Sequence, residues 1–206
     1  MTFSKSELGE LVYDYAERIF LTILGVSIIL RFLPSIGRHP VDAILLISEV
    51  AAVVMIICRR RAKTTDLSPY AILVALVGTT GGLLVHPGGQ ALIPEWVAGI
   101  VMIGGALLNI FAKVALNRSF GLAAANRGVK HKGVYQLMRH PMYAGYITTQ
   151  FAFLLANPTA WNLAVYLAAW SAQLLRIQAE ERVLSQDAAY RAYSASVPWR
   201  LAPGVY

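Results

Sequence analysis

The segment at residues 139–143, which reads Arg-His-Pro-Met-Tyr, has the residue types of a helix start that could bind a ligand. Proline is favoured at the first helical position, where its missing amide hydrogen is not needed, so Pro141 is predicted to open a helix with His140 at or near its cap. The free backbone amides of such a helix start favour an anionic group such as a carboxylate. The segment therefore predicts an anion-binding helix start. A plain capping role for the histidine is the alternative.

A second group of chemically capable side chains combines aromatic rings with charges. Tyr135 and Tyr143 offer π-faces that attract a cation or an adenine ring. Arg176 and Glu180 are four residues apart, so on a helix they share one face with Cβ atoms about 5–6 Å apart. Charged residues beside a long apolar run are costly unless they are paired or functional. A simple salt bridge is the other interpretation, although Arg before Glu is the weaker order for stabilising a helix.

The composition predicts the elements that must position these residues. Of the 206 residues, 57% are hydrophobic and 14% are charged, whereas soluble domains have roughly 45–50% apolar and about 25% charged residues. A chain of this length cannot bury so much apolar surface in its own core. The sequence therefore predicts an all-α integral membrane helical bundle. The net charge of +7 then favours membrane lipids and an acidic ligand as partners, and no nucleic acid.

Six apolar segments are candidates for the hydrophobic helices of this bundle. Four of them form a predicted membrane anchor at 18–116, after an amphipathic segment at 1–17 that is predicted to lie on the membrane surface. The last two, split by Asn157-Pro158, are short enough for a re-entrant helical hairpin within a catalytic region at 117–206. In chain order the segments are 18–34, 41–58, 69–86, 92–116, 142–156 and 160–177.

The basic residues predict how the bundle is oriented. All lysines and arginines except Arg31 and Arg38 fall at one end of the predicted helices. The excess of basic residues on the cytosolic side of membrane proteins places this end, both termini and the chemically capable segments in the cytosol. The turn at residues 86–89 lies at the opposite end. The sequence thus predicts a multi-pass protein with a cytosolic C-terminal cap.

Other polar side chains receive structural interpretations. Tyr190 and Tyr193 are predicted as anchors at the membrane interface. Asp42 and Glu49 fall inside the second apolar run, where pairing with an Arg or Lys of the membrane region is expected. The sequence has no cluster of histidine, cysteine and carboxylate residues with metal-ligand spacing, so no metal site is predicted.

Five motifs occur together in the last part of the chain: a Gly-x-Tyr motif, an Arg-His-Pro-x-Tyr-x-Gly motif, a hairpin with Asn-Pro at its tip, an Arg-x-x-x-Glu-Glu motif and a Tyr-x-x-Tyr motif. They begin at Gly133, Arg139, Asn157, Arg176 and Tyr190. In this order and approximate spacing, residues 118–203 resemble the isoprenylcysteine carboxyl methyltransferase family, in the wider group that includes membrane phospholipid methyltransferases. The resemblance implies S-adenosylmethionine as the cofactor.

The resemblance also implies roles for single residues. In the family, the Arg four residues before the first Glu lies at the substrate, which assigns substrate binding to Arg176 and makes Arg176 and Glu180 the predicted catalytic residues. Neighbouring residues of a helix point about 100° apart, so Glu181 is predicted to contribute less than Glu180. The cofactor-binding residues that the resemblance implies are Val129, Lys130, Tyr135, His140, Pro141, Met142, Tyr143 and Glu180.

The sequence therefore predicts a membrane methyltransferase with a lipophilic acceptor that enters from the bilayer, foremost an isoprenylcysteine-type carboxylate. A phospholipid amine or a thiol stays open as the acceptor. The alternative enzyme is a membrane reductase of the sterol or steroid type that uses NADPH, but the His-Pro and Glu-Glu pairs favour a methyl donor. A scaffold or transporter would place polar residues at mid-membrane, whereas here they concentrate in the predicted cytosolic segments.

Overall fold

The protein is helical throughout the residues that the computed structural model describes, which are 5–58, 69–116 and 133–206. These ranges contain seven α-helices, one 3₁₀ helix and no strand, which confirms the predicted all-α class. The elements are α1 (Lys5–Phe32), α2 (Val41–Cys58), α3 (Pro69–Leu84), α4 (Glu95–Leu116), the 3₁₀ helix (Gly133–Gln136), α5 (Pro141–Ala156), α6 (Ala160–Leu184) and α7 (Ala188–Ser196).

Helix α1 joins two segments that the sequence pattern separates. It runs without interruption from Lys5 to Phe32, so there is no boundary between the amphipathic segment 1–17 and the first apolar run. No proline interrupts this stretch, and the helix ends two residues before Pro34 because the residue preceding a proline disfavours the α conformation. The position of the amphipathic part on the membrane surface stays a prediction.

Helices α5 and α6 form the predicted hairpin, with Asn157 and Pro158 in its turn. The side chain of Thr159 caps α6 by accepting a hydrogen bond from the Asn162 amide at 3.1 Å. Asn162 also donates from Nδ2 to the Asn157 carbonyl at 2.9 Å. Helix α6 then continues to Leu184, well past the apolar run that ends at 177. The charged residues of the Arg-x-x-x-Glu-Glu motif therefore extend from the hairpin on one continuous helix.

Helices α4 and α5 approach so closely at Gly105 and Gly145 that neither position has room for a side chain. A Cβ atom built on Gly145 would lie 2.6 Å from the Gly105 carbonyl oxygen, and one built on Gly105 would lie 2.8 Å from the Gly145 oxygen. This approach requires residues without a Cβ. One turn further along, Asn109 donates from Nδ2 to the Met142 carbonyl at 3.0 Å. These contacts hold the first turns of α5 in place against α4.

Two apolar cores lie along the bundle. The bundle core includes Phe32, Met102, Phe153 and Tyr166, which come from α1, α4, α5 and α6. The second, which we call the cap core, joins α4, the 3₁₀ helix, the start of α5 and the C-terminal segment. Its buried members are Ala112, Tyr135, Met142, Tyr190, Tyr193 and Val197.

Among the helices described, the stretch Glu95–Ala115 of α4 is the one long and apolar enough to be a candidate membrane span. Helices α3 and α5 have 16 residues each, or about 24 Å at the helical rise, against a hydrocarbon core of about 30 Å. The six predicted apolar segments therefore all contain helices, but the described residues provide one candidate span. A multi-pass arrangement stays a prediction.

Candidate functional site

The start of α5 has the predicted geometry. His140 is the N-cap residue and Pro141 opens the helix, and no side chain in the described part of the chain caps it. The backbone just before the helix is tied to the C-terminal segment, because the Arg139 amide donates to the Trp199 carbonyl at 2.9 Å and the His140 amide donates to the Arg200 carbonyl at 2.8 Å. The C-terminal segment thus lies beside the helix start.

The ring of His140 lies between both glutamates of the Glu-Glu pair. Its Nε2 is 2.8 Å from Oε1 of Glu181, and its Nδ1 is 3.7 Å from Oε2 of Glu180. The two carboxylates point in different directions along α6, as their helical positions require, but the inserted imidazole is within reach of each. The smaller contribution of Glu181 to ligand binding stays a prediction, although the imidazole lies closer to Glu181 than to Glu180.

Glu181 is the most highly connected residue of the site. Its Oε2 accepts a hydrogen bond from Nη1 of Arg139 at 2.5 Å, and its Oε1 accepts one from the Tyr190 hydroxyl at 2.6 Å. Burial alone would raise the pKa of Glu181, but the hydrogen bonds of His140 and Tyr190 and the charge of Arg139 hold it below its ordinary value. The carboxylate therefore stays ionised and joins α5, α6 and α7.

Glu180 connects the helix start to the predicted substrate residue. Its Oε1 accepts a hydrogen bond from the Tyr143 hydroxyl at 2.6 Å and lies 4.0 Å from Nη2 of Arg176. The guanidinium of Arg176 lies over the Tyr143 ring, 5.5 Å from its centroid, and the rings of Tyr143 and His140 are 5.9 Å apart. Four residues predicted from two separate motifs thus form one cluster, the charged cluster, of Glu180, Tyr143, Arg176 and His140.

Tyr135 adjoins this cluster from the 3₁₀ helix. It is buried, and burial raises the pKa of its hydroxyl, with further contributions from Tyr193 and Glu180, so it is a neutral hydrogen-bonding group at physiological pH. Met142 is also buried, in the cap core. The predicted Val129 and Lys130 lie outside the described residues.

Tyr190 and Tyr193 are not the interfacial anchors that the sequence predicts. Both are buried in the cap core. The Tyr190 hydroxyl donates to Glu181, and the Tyr193 hydroxyl donates to the Tyr135 carbonyl at 2.7 Å. Burial raises the pKa of Tyr193 to about 12. The Tyr-x-x-Tyr motif therefore places two hydroxyl donors of α7 against the site, and this spacing on an amphipathic helix is the signal that points to it.

A polar cluster also occurs inside the bundle, where the sequence predicts few polar residues. Glu49 and Lys113 are both buried; Lys113 attracts the Glu49 carboxylate, and Gln150 hydrogen-bonds to it. The Lys113 ammonium lies over the ring of Tyr146, 5.0 Å from its centroid. Glu49 thus has the expected basic partner. Asp42 instead accepts a hydrogen bond from Asn157 Nδ2 at 3.4 Å.

The fold and the site define an all-α protein that gathers a charged and aromatic cluster at one end of a helical hairpin. More particularly, residues 96–186 match the model of the isoprenylcysteine carboxyl methyltransferase (ICMT) family, which confirms the resemblance in the motifs. The match covers less than half of the chain but includes α5, the hairpin and the charged cluster, and it implies a methyltransferase. No curated protein matches the chain. Within the described ranges there is no group of three histidine, cysteine or acidic residues suited to a metal ion.

Proposed function

We propose that this protein is an S-adenosylmethionine-dependent methyltransferase of the membrane whose acceptor is a lipophilic carboxylate of the isoprenylcysteine type. The observation that carries the proposal is the charged cluster. Two motifs separated by a whole helical hairpin bring His140 and Tyr143 of α5 against Arg176 and Glu180 of α6. All four residues lie within the range that matches the ICMT family.

The residues at the start of α5 fit this cofactor. It carries an amino acid carboxylate and a sulfonium cation, and when bound it supplies an electrophilic methyl group. The helix start has no side-chain cap in the described part of the chain, so its amides are available to a carboxylate. Glu180 supplies a negative charge, and Tyr143 supplies an aromatic face to which a cation is attracted. Tyr135 borders the same place.

Arg176 suits a carboxylate acceptor. A guanidinium binds a carboxylate through two parallel hydrogen bonds and so fixes its orientation. A carboxylate is already ionised at neutral pH, so no general base is needed to activate it. Since the reacting groups need only be aligned, positioning by Arg176 is the main catalytic contribution of the chain. A thiol or amine acceptor would need a base to remove its proton.

The outer surface of the bundle supports a multi-pass position in the membrane. Large apolar side chains are exposed on α1, α2, α4 and α6, and they would face lipid. With the basic ends in the cytosol, the cofactor would enter from the cytosol and the acceptor would enter sideways from the bilayer. The exposed apolar residues of α4 include Ile100, Ile103, Leu107, Ile110, Phe111 and Val114.

Ligand binding to the purified protein tests the cofactor. S-Adenosylmethionine or its demethylated product should raise the thermal midpoint in detergent, because a ligand that binds only the folded state stabilises it. Radiolabel should then pass from S-adenosylmethionine to N-acetyl-S-farnesylcysteine and not to its carboxamide. A shift with NADPH alone would favour the reductase, and label in the carboxamide would remove the carboxylate assignment.

A further inference from the structure

A cavity lies at the end of the bundle opposite the charged cluster. Its volume is about 470 Å³, and it is formed by the α1–α2 turn, the α3–α4 loop and the tip of the hairpin. Helix α5 has 16 residues, so the cavity lies about 24 Å from the helix start at Pro141. It is therefore a separate site, which we call the distal cavity. Its polar lining includes Arg31, Arg38, His39, Glu95 and Asn157.

The distal cavity is lined by positive charge that lacks a carboxylate partner. Arg31 donates to the carbonyls of Ser27, Leu83 and Val85, and its Nη1 also lies 3.3 Å from Nε2 of His86. Neutral acceptors therefore fix its guanidinium, and no carboxylate among the described residues balances its charge. In the ranges that the structure covers, neither Arg31 nor Arg38 lies within ion-pair distance of an acidic side chain. Two positive charges at one cavity favour the binding of a phosphate, and the exposed Arg38 is the better placed to donate hydrogen bonds to it.

The same cavity contains an unsatisfied hydrogen-bond acceptor. Oε1 of Glu95 is shielded from solvent and has no hydrogen-bond partner in the described structure. The nearest basic group is Nδ1 of His39 at 3.8 Å, which is beyond hydrogen-bond distance. The Glu95 side chain as a whole is 41% exposed, so a ligand in the cavity can reach its carboxylate group. A ligand that brings a positively charged N–H donor would complement this carboxylate.

The surroundings indicate that this ligand is a lipid. Trp96 follows Glu95 at the start of α4, and Trp161 lies at the start of α6; both residues are more than half exposed. Leu92, in the loop that lines the cavity, is also exposed. Exposed tryptophan side chains at helix ends are typical of the boundary between hydrocarbon and water. The distal cavity would therefore lie at the depth of the lipid headgroups.

We propose that the distal cavity binds the headgroup of a zwitterionic phospholipid with a primary ammonium, as in phosphatidylethanolamine. The phosphate contacts Arg38 beside the positive charge of Arg31, and the ammonium donates to the Glu95 carboxylate. The volume of the cavity lies within the range of small-ligand sites. Phosphatidylcholine lacks the N–H donor, and phosphatidylglycerol lacks the positive charge, so both should bind less tightly. The proposal depends on a position in the bilayer but not on methyl transfer.

Short-chain lipids test the proposal without any activity measurement. Delipidated protein in detergent is titrated with dihexanoyl phosphatidylethanolamine, phosphatidylcholine, phosphatidylglycerol and inorganic phosphate, and binding is followed by calorimetry. Phosphatidylethanolamine should bind about tenfold more tightly than the other two lipids, the equivalent of one hydrogen bond to a charged group. Inorganic phosphate should bind much more weakly than any lipid. Equal binding of free phosphate would overturn the lipid assignment.

Three variants test the ammonium contact, the phosphate contact and a control position separately. Glu95→Gln should abolish the preference for phosphatidylethanolamine over phosphatidylcholine, whereas Arg38→Gln should weaken all three lipids several-fold. Arg182→Gln is the matched control, because Arg182 is exposed near the other end of α6, and it should change nothing. Both cavity side chains are at least partly exposed, so neither change should prevent folding. An unchanged lipid preference in Glu95→Gln would refute the proposal.

Discussion

The two adjacent glutamates that His140 contacts have different roles. Its Nε2 contacts Glu181, which is also bound by Arg139 and Tyr190, so that carboxylate is saturated with protein partners. Its Nδ1 faces Glu180 at the longer distance of 3.7 Å. Glu180 has one close hydrogen bond, from Tyr143. We infer that Glu181 holds the site together and that Glu180 is the carboxylate available to a ligand.

Substituting each glutamate separately tests this division. Glu180→Gln should weaken S-adenosylmethionine binding about tenfold or more, since a charge-assisted contact is lost, with little change in the thermal midpoint. Glu181→Gln should lower the free energy of unfolding by about 3 kcal/mol, because it leaves buried basic partners unpaired. Calorimetric affinity and unfolding, measured on both variants, give the answer. Equal effects of the two changes on affinity and on stability would contradict the assignment.

Arg176 offers a test of mechanism. If it orients an acceptor carboxylate, Arg176→Lys should lose turnover nearly as fully as Arg176→Ala, because lysine keeps the charge but not the planar pair of donors. Cofactor affinity should change little in both variants, since Glu180 and Tyr143 stay in place. Affinity and turnover are measured separately. Full turnover in the alanine variant would remove Arg176 from the site, and rescue by lysine would indicate a simple ion pair with Glu180.

At the scale of the elements, the ends of the helices can be predicted from the sequence where a nearby residue, such as a proline, determines them. Pro141 opens α5, Asn157-Pro158 separates α5 from α6, and Pro34 follows the end of α1. These signals act over a few residues and can be recognised in the sequence. The continuity of α1 was not predicted, because a change from amphipathic to apolar composition does not break a helix unless a helix-breaking residue accompanies it.

In the candidate site, too, the residues that the sequence predicts are those that belong to short local motifs. His140, Tyr143, Arg176 and Glu180 were predicted from short motifs and do form a cluster. The role of Glu181 was missed, because it depends on partners from segments distant in sequence, including Tyr190 on α7. Helical periodicity says which way a side chain points but not which other element will meet it.

The contact of α4 with α5 allows a test of how elements position the site. Gly145→Ala would place a Cβ atom 2.6 Å from the Gly105 carbonyl oxygen, so the helices must separate, at a cost of about 1–3 kcal/mol for overpacking. Because the start of α5 would shift with them, affinity for S-adenosylmethionine should fall as well. The thermal midpoint and calorimetric affinity measure both effects.

Gly104→Ala is the matched control for this substitution. Gly104 is on the same helix as Gly105, but a Cβ atom there would meet nothing within 4 Å. Alanine should therefore leave the cofactor affinity unchanged and should stabilise the helix slightly, by up to about 1 kcal/mol. A loss of affinity in this variant as large as in Gly145→Ala would show that the close contact is not what positions α5.

At the scale of the whole molecule, the bundle core and the cap core meet at the start of α5. Met142, in its first turn, belongs to the cap core, whereas Phe153, near its other end, belongs to the bundle core. The charged cluster therefore has packed helices on one side and the C-terminal segment on the other. Glu49 of α2 and Lys113 of α4 are buried between these regions and attract each other, and the low dielectric there makes an unpaired charge expensive.

A double-mutant cycle on Glu49 and Lys113 measures how far this buried pair holds the bundle together. Glu49→Gln and Lys113→Met should each lower the free energy of unfolding by about 0.5–3 kcal/mol, because each removes one of two buried charges that attract each other. The double variant should lose much less than the sum of the two, since no uncompensated charge remains. Denaturant unfolding in one detergent gives the four values. Additive losses would mean that the two side chains stabilise the bundle through separate neighbours, such as Gln150 for Glu49 and Tyr146 for Lys113.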